Sequence, residues 1–264
     1  MSISGGLDLM VHSEAPPGGG LGSSGAMGVA FIGILSQYLG DRLSNYEIAD
    51  VANEIERGIG VCCGKQDHYA SVLGGINYME FHDEEVEVSK LELDNDIQYE
   101  LESRLCLCCT GRSRFAKEML QRVVDAYFNG DEDTIEAIAN LRLIASEMRD
   151  SLLSGDLEQF GKLLHRNWQN QKRLHPSVST PQIDRLFDIA YSNGSIGGKA
   201  CGAGGGGCLV FFCDPGKKPV VERKLRGAGA QTLNFSFDFS GLQTWASEES
   251  IYKTGETANT LLNA

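Results

Sequence analysis

The chain has 264 residues, with 36 Asp and Glu against 23 Lys and Arg, and a formal net charge of −13. Binding nucleic acid or an anionic membrane takes a basic face that neutralises phosphates, so this balance speaks against both partners. At 42% hydrophobic and 22% charged residues there is ample apolar surface for a packed core, in one large domain or two small ones, and wholesale disorder is excluded.

In chain order, a strand is predicted over residues 7–12, ended by Glu14-Ala15-Pro16-Pro17 and followed by a glycine-rich loop over 18–24. A helix runs over about 24–39, with Met27, Phe31, Ile34, Leu35 and Tyr38 on one stripe and Gly40 as its stop. Ser44 and Glu47 form a capping box for the next helix, whose buried face is Ile48, Val51, Ala52 and Ile55 and which Gly58 ends. A short helix over 65–73 lies between Gly64 and Gly74-Gly75.

Residues 76–110 read as strands separated by two solvated acidic stretches, 82–87 and 94–96, with a hinge between two lobes that divides the chain into 1–98 and 99–264. Helices follow. Phe115, Met119, Leu120, Val123, Val124, Tyr127 and Phe128 recur at helical spacing. Ile135, Ile138 and Leu141 mark a second helix, and Leu157, Phe160, Leu163, Leu164 and Trp168 a third. Thr180 caps a helix with Pro181 at its first position, and Ile183, Leu186, Phe187 and Ala190 form its apolar face. The end reads β-α-β: an apolar run over 208–213, a basic helix over 217–225, then alternating Leu233, Phe235 and Phe237. The fold class is α+β, with a helical middle between sheet-forming ends.

Two residue types narrow the chemistry. The eight Cys follow no charged-then-apolar leader, and neither Cys62-Cys63 nor Cys108-Cys109 can easily bridge to its own neighbour. Cys106, Cys108 and Cys109 lack the paired spacing of a zinc site, so the cysteines read as buried reduced thiols of a cytoplasmic protein. The longest apolar run, 26–35, falls far short of the ~20 residues of a membrane span. Glycine is in excess: 32 residues, about 12% against a usual value near 7%, clustered at 18–28, 58–75 and 194–207.

The first cluster sets Gly18, Gly19, Gly20, Leu21, Gly22, Ser23 and Ser24 at a helix N-terminus. Free N–H groups and the positive end of the helix dipole both favour an anion there. No G-x-x-x-x-G-K-[ST] is present, which removes a Walker loop. Gly20-x-Gly22-x-x-Gly25 matches the dinucleotide pattern in letters, but Pro16-Pro17 separates it from the strand and Asp41 follows a helix, not a second strand. The bland alternative, a serine that merely caps the helix, accounts for one serine but not for the glycines.

Pro17-Gly-Gly-Gly-Leu-Gly-Ser-Ser-Gly-Ala26 resembles the second motif of the GHMP kinases, the family named for galactokinase, homoserine kinase, mevalonate kinase and phosphomevalonate kinase. Gly197-Gly-Lys-Ala-Cys-Gly-Ala-Gly-Gly-Gly-Gly207 resembles their third motif. Gly64-Lys-Gln-Asp67-His-Tyr-Ala with Gly74-Gly75 is similar to the heptose-phosphate kinase branch, as are Asn167-Trp168, Lys172, Thr180 and Ile183-Asp184. Three separated motifs in the right order are more specific than any one alone.

The resemblance implies a two-lobed fold, with the helices of the C-terminal lobe packed on an antiparallel sheet. It also implies transfer of the γ-phosphoryl of ATP to a hydroxyl of a sugar or sugar phosphate. The glycine loop would cradle the ATP phosphates, Ser24 and Glu56 would hold Mg²⁺, and Asp67 would orient or deprotonate the acceptor, with Lys65 neutralising phosphate or lowering the pKa of Asp67. Gly204, Gly205 and Arg112 would contact substrate. Phosphoryl transfer needs positioning and charge neutralisation more than covalent chemistry, so a glycine loop, one metal and one carboxylate suffice. Relatives carry a strand-rich first motif ahead of this loop. The N-terminal lobe is therefore expected to be partial, which leaves open a non-catalytic nucleotide- or sugar-binding descendant. An NAD(P) protein and a homodimer also stay open.

Overall fold

The computed structural model describes residues 7–61, 63–82, 85–111 and 116–247. The strand expected over residues 7–12 is absent: this stretch has no regular structure, and Leu7, Leu9, Met10 and Val11 are exposed. No strand lies beside it among the described residues to take its backbone groups, and an unpaired extended segment has no ladder to hold it.

Helix α1 (Ser23–Leu39) buries Gly25, Val29, Gly33 and Ser36. The stripe of larger residues that the sequence suggested is turned outward, with Met27, Ile34 and Tyr38 exposed. Small residues win the inner face because neighbouring elements approach closely there. A Cβ on Gly25 would stand 3.0 Å from Asp67 Cβ, and one on Gly33 would meet Leu242 at 2.7 Å.

Helix α2 (Asn45–Gly58) begins at the expected capping box: Ser44 Oγ accepts from Glu47 N, and Glu47 Oε2 accepts from Ser44 N at 2.8 Å. Those bonds hold the Glu47 carboxyl below its ordinary pKa. Its inner face is Ile48, Ala49, Ala52 and Asn53, whereas Ile55 is exposed. Helix α3 (Gln66–Leu73) completes a three-helix cluster through Tyr69 and Val72, over which lie Met79, Val86 and Val88 of the hairpin β1 (Asn77–His82) and β2 (Glu85–Lys90). Ser44→Ala removes one cap acceptor at the start of α2; it should lower the melting temperature by about 2–4 °C with kcat unchanged, by thermal unfolding and steady-state kinetics.

Helix α4 (Asn95–Arg104) occupies a stretch read as loop and strand. Its polar sequence, NDIQYELESR, buries only Leu101 and Arg104 and so carries no helical apolar stripe. Arg104 ties it to the sheet, donating from Nε to Cys213 O at 2.8 Å beneath the Phe212 ring. The helix runs through residue 98, and Leu91 and Leu101 on either side of that position share one apolar cluster.

The larger sheet is antiparallel throughout, in the order β4 (Ser195–Ala200), β5 (Cys208–Cys213), β3 (Leu105–Cys109), β6 (Gln231–Leu233). Helices cover both faces. Cys106, Cys108, Leu209 and Phe211 pack against α8 (Pro181–Tyr191), α9 (Lys218–Gly227) and Met119 of α5 (Ala116–Phe128). Leu105 and Phe212 pack against α6 (Glu132–Leu153) and α7 (Leu157–Arg173). Thr180 caps α8 as expected, its Oγ1 accepting from Ile183 N. β6 stops at Leu233, so Phe235 and Phe237 extend past the sheet into the second cluster instead of continuing a strand.

The cysteines need one correction. Cys109 and Cys208 stand directly opposite each other in the β3–β5 register and form a disulfide. Pairing 99 residues apart in sequence was invisible to an inspection of neighbours. Cys106, Cys108, Cys201 and Cys213 are free, and burial pushes the Cys108 and Cys213 thiols up to about 12.

Candidate active site

The glycine loop starts with a turn in which Gly19 N donates to Pro16 O at 3.0 Å. Gly20 and Gly22 both have φ of 72°, in the left-handed region that side chains avoid. Gly22 is the N-cap of α1, and no side chain caps the helix. Neither Ser23 nor Ser24 therefore serves as a mere cap. Among the described residues, the N–H groups of residues 20–25 find no backbone acceptor. An array of free donors at the positive end of a 17-residue helix is an anion cradle.

The third glycine cluster backs this loop. A Cβ on Gly20 would lie 2.6 Å from Cys201 O, and one on Gly207 would lie 2.8 Å from Gly19 O. Cys208 N donates to Gly19 O at 2.8 Å. Backbone thus meets backbone with no side chain between, which only glycine permits. Gln171, from the buried face of α7, donates to Gly202 O at 2.9 Å and fixes the rear of the cluster. Gly204 and Gly205 pack on the short 3-10 turn Pro176–Val178, and Gly205 N is engaged by Val178 O at 2.7 Å. Arg112 lies outside the described residues.

Asp67 is brought to the front of the loop. Cβ atoms on Gly22 and Gly25 would fall 3.1 Å from its Cγ and 3.0 Å from its Cβ, so the carboxyl rests against the first turn of α1. It is the second residue of α3 and half-buried; its backbone carbonyl accepts from Ser71 Oγ at 2.7 Å, whereas its carboxylate accepts no hydrogen bond from a described residue. Burial raises its pKa above the usual carboxylate value; His68 opposes that rise and Glu56 adds to it.

Glu56 stands in the last turn of α2, with its side chain 11% exposed and Oε2 2.8 Å from Nε2 of the fully buried His68. On the other side of the ring, Asn53 Nδ2 lies 3.5 Å from His68 Nδ1 and donates to Gly64 O at 3.3 Å. Lys65 pairs with Asp50: its ammonium is 3.2 Å from Asp50 Oδ1, which also accepts from Tyr69 Oη at 2.9 Å. Sequence reasoning passed over Asn53, although a polar residue on the Ile48-Ala49-Ala52 face was the available signal.

The oxygen donors to weigh are the Ser24 hydroxyl in the first turn of α1 and the Glu56 carboxylate, which is close enough to Asp67 to add to the rise in its pKa. No group of three or more His, Cys, Asp or Glu forms a protein metal cage among the described residues. Such a sparse oxygen set suits Mg²⁺, which keeps waters and takes substrate phosphates as ligands. No helix among the described residues is long and apolar enough to cross a membrane.

Comparison with known proteins places these elements. A family model for the GHMP kinases N terminal domain matches residues 1–75, and one for the GHMP kinases C terminal matches residues 148–231. The D-glycero-alpha-D-manno-heptose 7-phosphate kinase of Campylobacter jejuni is 36% identical over 241 residues, covering 90% of this chain and 70% of that protein. The mevalonate kinase of Thermococcus onnurineus is 31% identical, covering 90% and 69%. The crystal structure of a D-glycero-D-manno-heptose 1-phosphate kinase from Bacteroides thetaiotaomicron superposes with a TM-score of 0.69 at 30% identity, over 89% of this chain and 67% of that one. The chain therefore spans roughly two thirds of the length of these relatives.

Proposed function

Since the chain belongs to the GHMP kinase family, we propose that it transfers the γ-phosphoryl of ATP to a hydroxyl of a sugar phosphate, with a heptose phosphate as the favoured acceptor. The observation that carries this reading is the contact between Asp67 and the Gly22–Gly25 turn. It sets a carboxylate with no hydrogen-bond donor of its own at the mouth of a phosphate cradle.

The free N–H groups of residues 20–25 bind the ATP phosphates and orient the γ-phosphoryl toward Asp67. Gly18 and Gly19 shape the turn that leads into this array, and Leu21 is half-buried within it. Ser24 and Glu56 would hold Mg²⁺, which when bound would neutralise charge on the phosphates. Asp67 takes the proton of the acceptor hydroxyl as the new P–O bond forms and ADP leaves. Lys65, paired with Asp50, braces α3 against α2 and holds Asp67 in place. Gly204, which packs against Val178, borders the acceptor.

ADP release with D-glycero-D-manno-heptose 7-phosphate, the corresponding 1-phosphate, mevalonate, galactose and fucose tests this reading. Mg²⁺-dependent turnover greatest with a heptose phosphate is expected; equal inactivity across the panel would overturn it. A second reading, a descendant that binds nucleotide without turnover, predicts ATP binding by calorimetry with no ADP release from any acceptor.

A further inference from the structure

The first turn of α3 aims two consecutive side chains in opposite directions. Asp67 faces the glycine loop, and His68 turns back into the α2 interface, where it is 1% exposed. A full side chain of this kind is rarely buried without a partner. Here the ring is clamped between Asn53 and Glu56, with Nδ1 facing the Asn53 amide and Nε2 2.8 Å from Glu56 Oε2. Nε2 is buried and finds no aligned hydrogen-bond acceptor among the described residues, so the Glu56 carboxylate at 2.8 Å is the group placed to take its proton after a small turn.

We infer that His68 is a positioning residue: clamped by Asn53, its Nε2–H holds the Glu56 carboxylate in the site beside Asp67, as a cation ligand. The inference rests on the kinase reading above and deepens it. Two physical effects would otherwise drive Glu56 out of the site. It lies at the negative end of α2, where an acid is disfavoured, and it lies near a second carboxylate, Asp67, whose charge it opposes. A flexible Glu on the last turn of a helix would relieve both by rotating into water. His68 removes that freedom by holding its Nε2 2.8 Å from one carboxylate oxygen, where a small turn of the carboxylate lets it accept the Nε2–H, and by leaving the other oxygen for a cation. The same clamp reaches the chain between the helices: Asn53 also holds Gly64 O at 3.3 Å, so the direction of Glu56 and the start of α3 are set together. Orientation of a ligating group by a buried hydrogen-bond donor is a general feature of metal sites.

The test is Mg²⁺-dependent binding of a non-hydrolysable ATP analogue by calorimetry, in the wild-type chain, His68→Leu, His68→Gln, Glu56→Gln and the Glu56→Gln/His68→Leu pair. His68→Leu, which keeps the volume and loses the donor, should raise the Mg²⁺ concentration for half-saturation about 10- to 100-fold and leave Mg²⁺-free binding unchanged. His68→Gln, which keeps an amide donor, should restore most of that loss. In the Glu56→Gln background His68→Leu should add nothing, because its effect passes through Glu56. In the wild-type chain, the buried Nε2–H proton resonance, assigned by its absence in His68→Gln, should move when Mg²⁺ is added to the nucleotide-bound protein.

An unshifted Mg²⁺ requirement in His68→Leu, an additive loss in the pair, or an unmoved resonance would overturn the inference while leaving the kinase reading intact. Should His68→Leu fail to fold, the wild-type resonance decides alone. A wild-type chain that binds no nucleotide with or without Mg²⁺ overturns both.

Discussion

Replacing Asp67 by Asn is expected to lower kcat by about 10²- to 10⁴-fold, the usual worth of a positioned general base, and to leave the melting temperature unchanged or raised. The combination follows from where the carboxyl sits. It rests on Gly22 and Gly25 with no hydrogen-bond donor from a described residue, and burial raises its pKa. A folded state that binds the proton more tightly than the unfolded chain loses stability as pH rises from the unfolded pKa through the raised folded one. Above that window the ionised side chain costs stability, and Asn, which keeps the shape and removes the charge, relieves the cost. The same raised pKa places the acid limb of kcat/KM above the ordinary carboxylate value of 3.8, since the base must be ionised to accept a proton. Steady-state kinetics from pH 4 to 8 and thermal unfolding of both proteins check it. Normal turnover in Asp67→Asn would remove Asp67 from the mechanism; a large fall in melting temperature would make its role structural.

Much of this site was legible because its signals are local. Positive-φ glycines, the Ser44–Glu47 capping box and the Thr180-Pro181 cap each act within one turn of chain, and each appears where the residues predicted. The signals that failed were those that depend on partners distant in sequence. The apolar stripe of α1 pointed outward because Asp67 and Leu242, brought in from other segments, require glycine on the inner face. α4 was missed because its polar surface is anchored by one buried Arg104 reaching a carbonyl 109 residues away. The Cys109–Cys208 bond depends on strand register, which no local pattern encodes. In the candidate site, Asp67 and the loop were found as separate motifs, but their contact and the turning of Lys65 toward Asp50 exist only once α2 and α3 pack together.

The second large effect is expected from the smallest substitution. In Gly20→Ala, a methyl group must enter at a φ of 72° and 2.6 Å from Cys201 O, closer than any real carbon–oxygen contact. The left-handed conformation alone costs about 1–2 kcal/mol for a residue with a Cβ. The clash cannot be relieved by a rotamer, because the obstructing atom is backbone in the third glycine cluster, held in place by Cys201 N donating to Cys208 O and by Gln171 donating to Gly202 O. The first loop must therefore lift away from the third, which also strains the Cys208 N to Gly19 O bond at its base. Lifting rotates the N–H groups of residues 20–25 off a common focus, and an anion cradle depends on that convergence. Calorimetry should show ATP affinity reduced by at least about tenfold, and unfolding should show a melting temperature lower by about 4–8 °C. Gly58→Ala, at a helix end where a Cβ meets nothing within 4 Å, serves as the comparison and should change neither. If Gly20→Ala bound ATP normally, the two glycine clusters would be packed for stability alone, and the phosphate site would have to lie elsewhere.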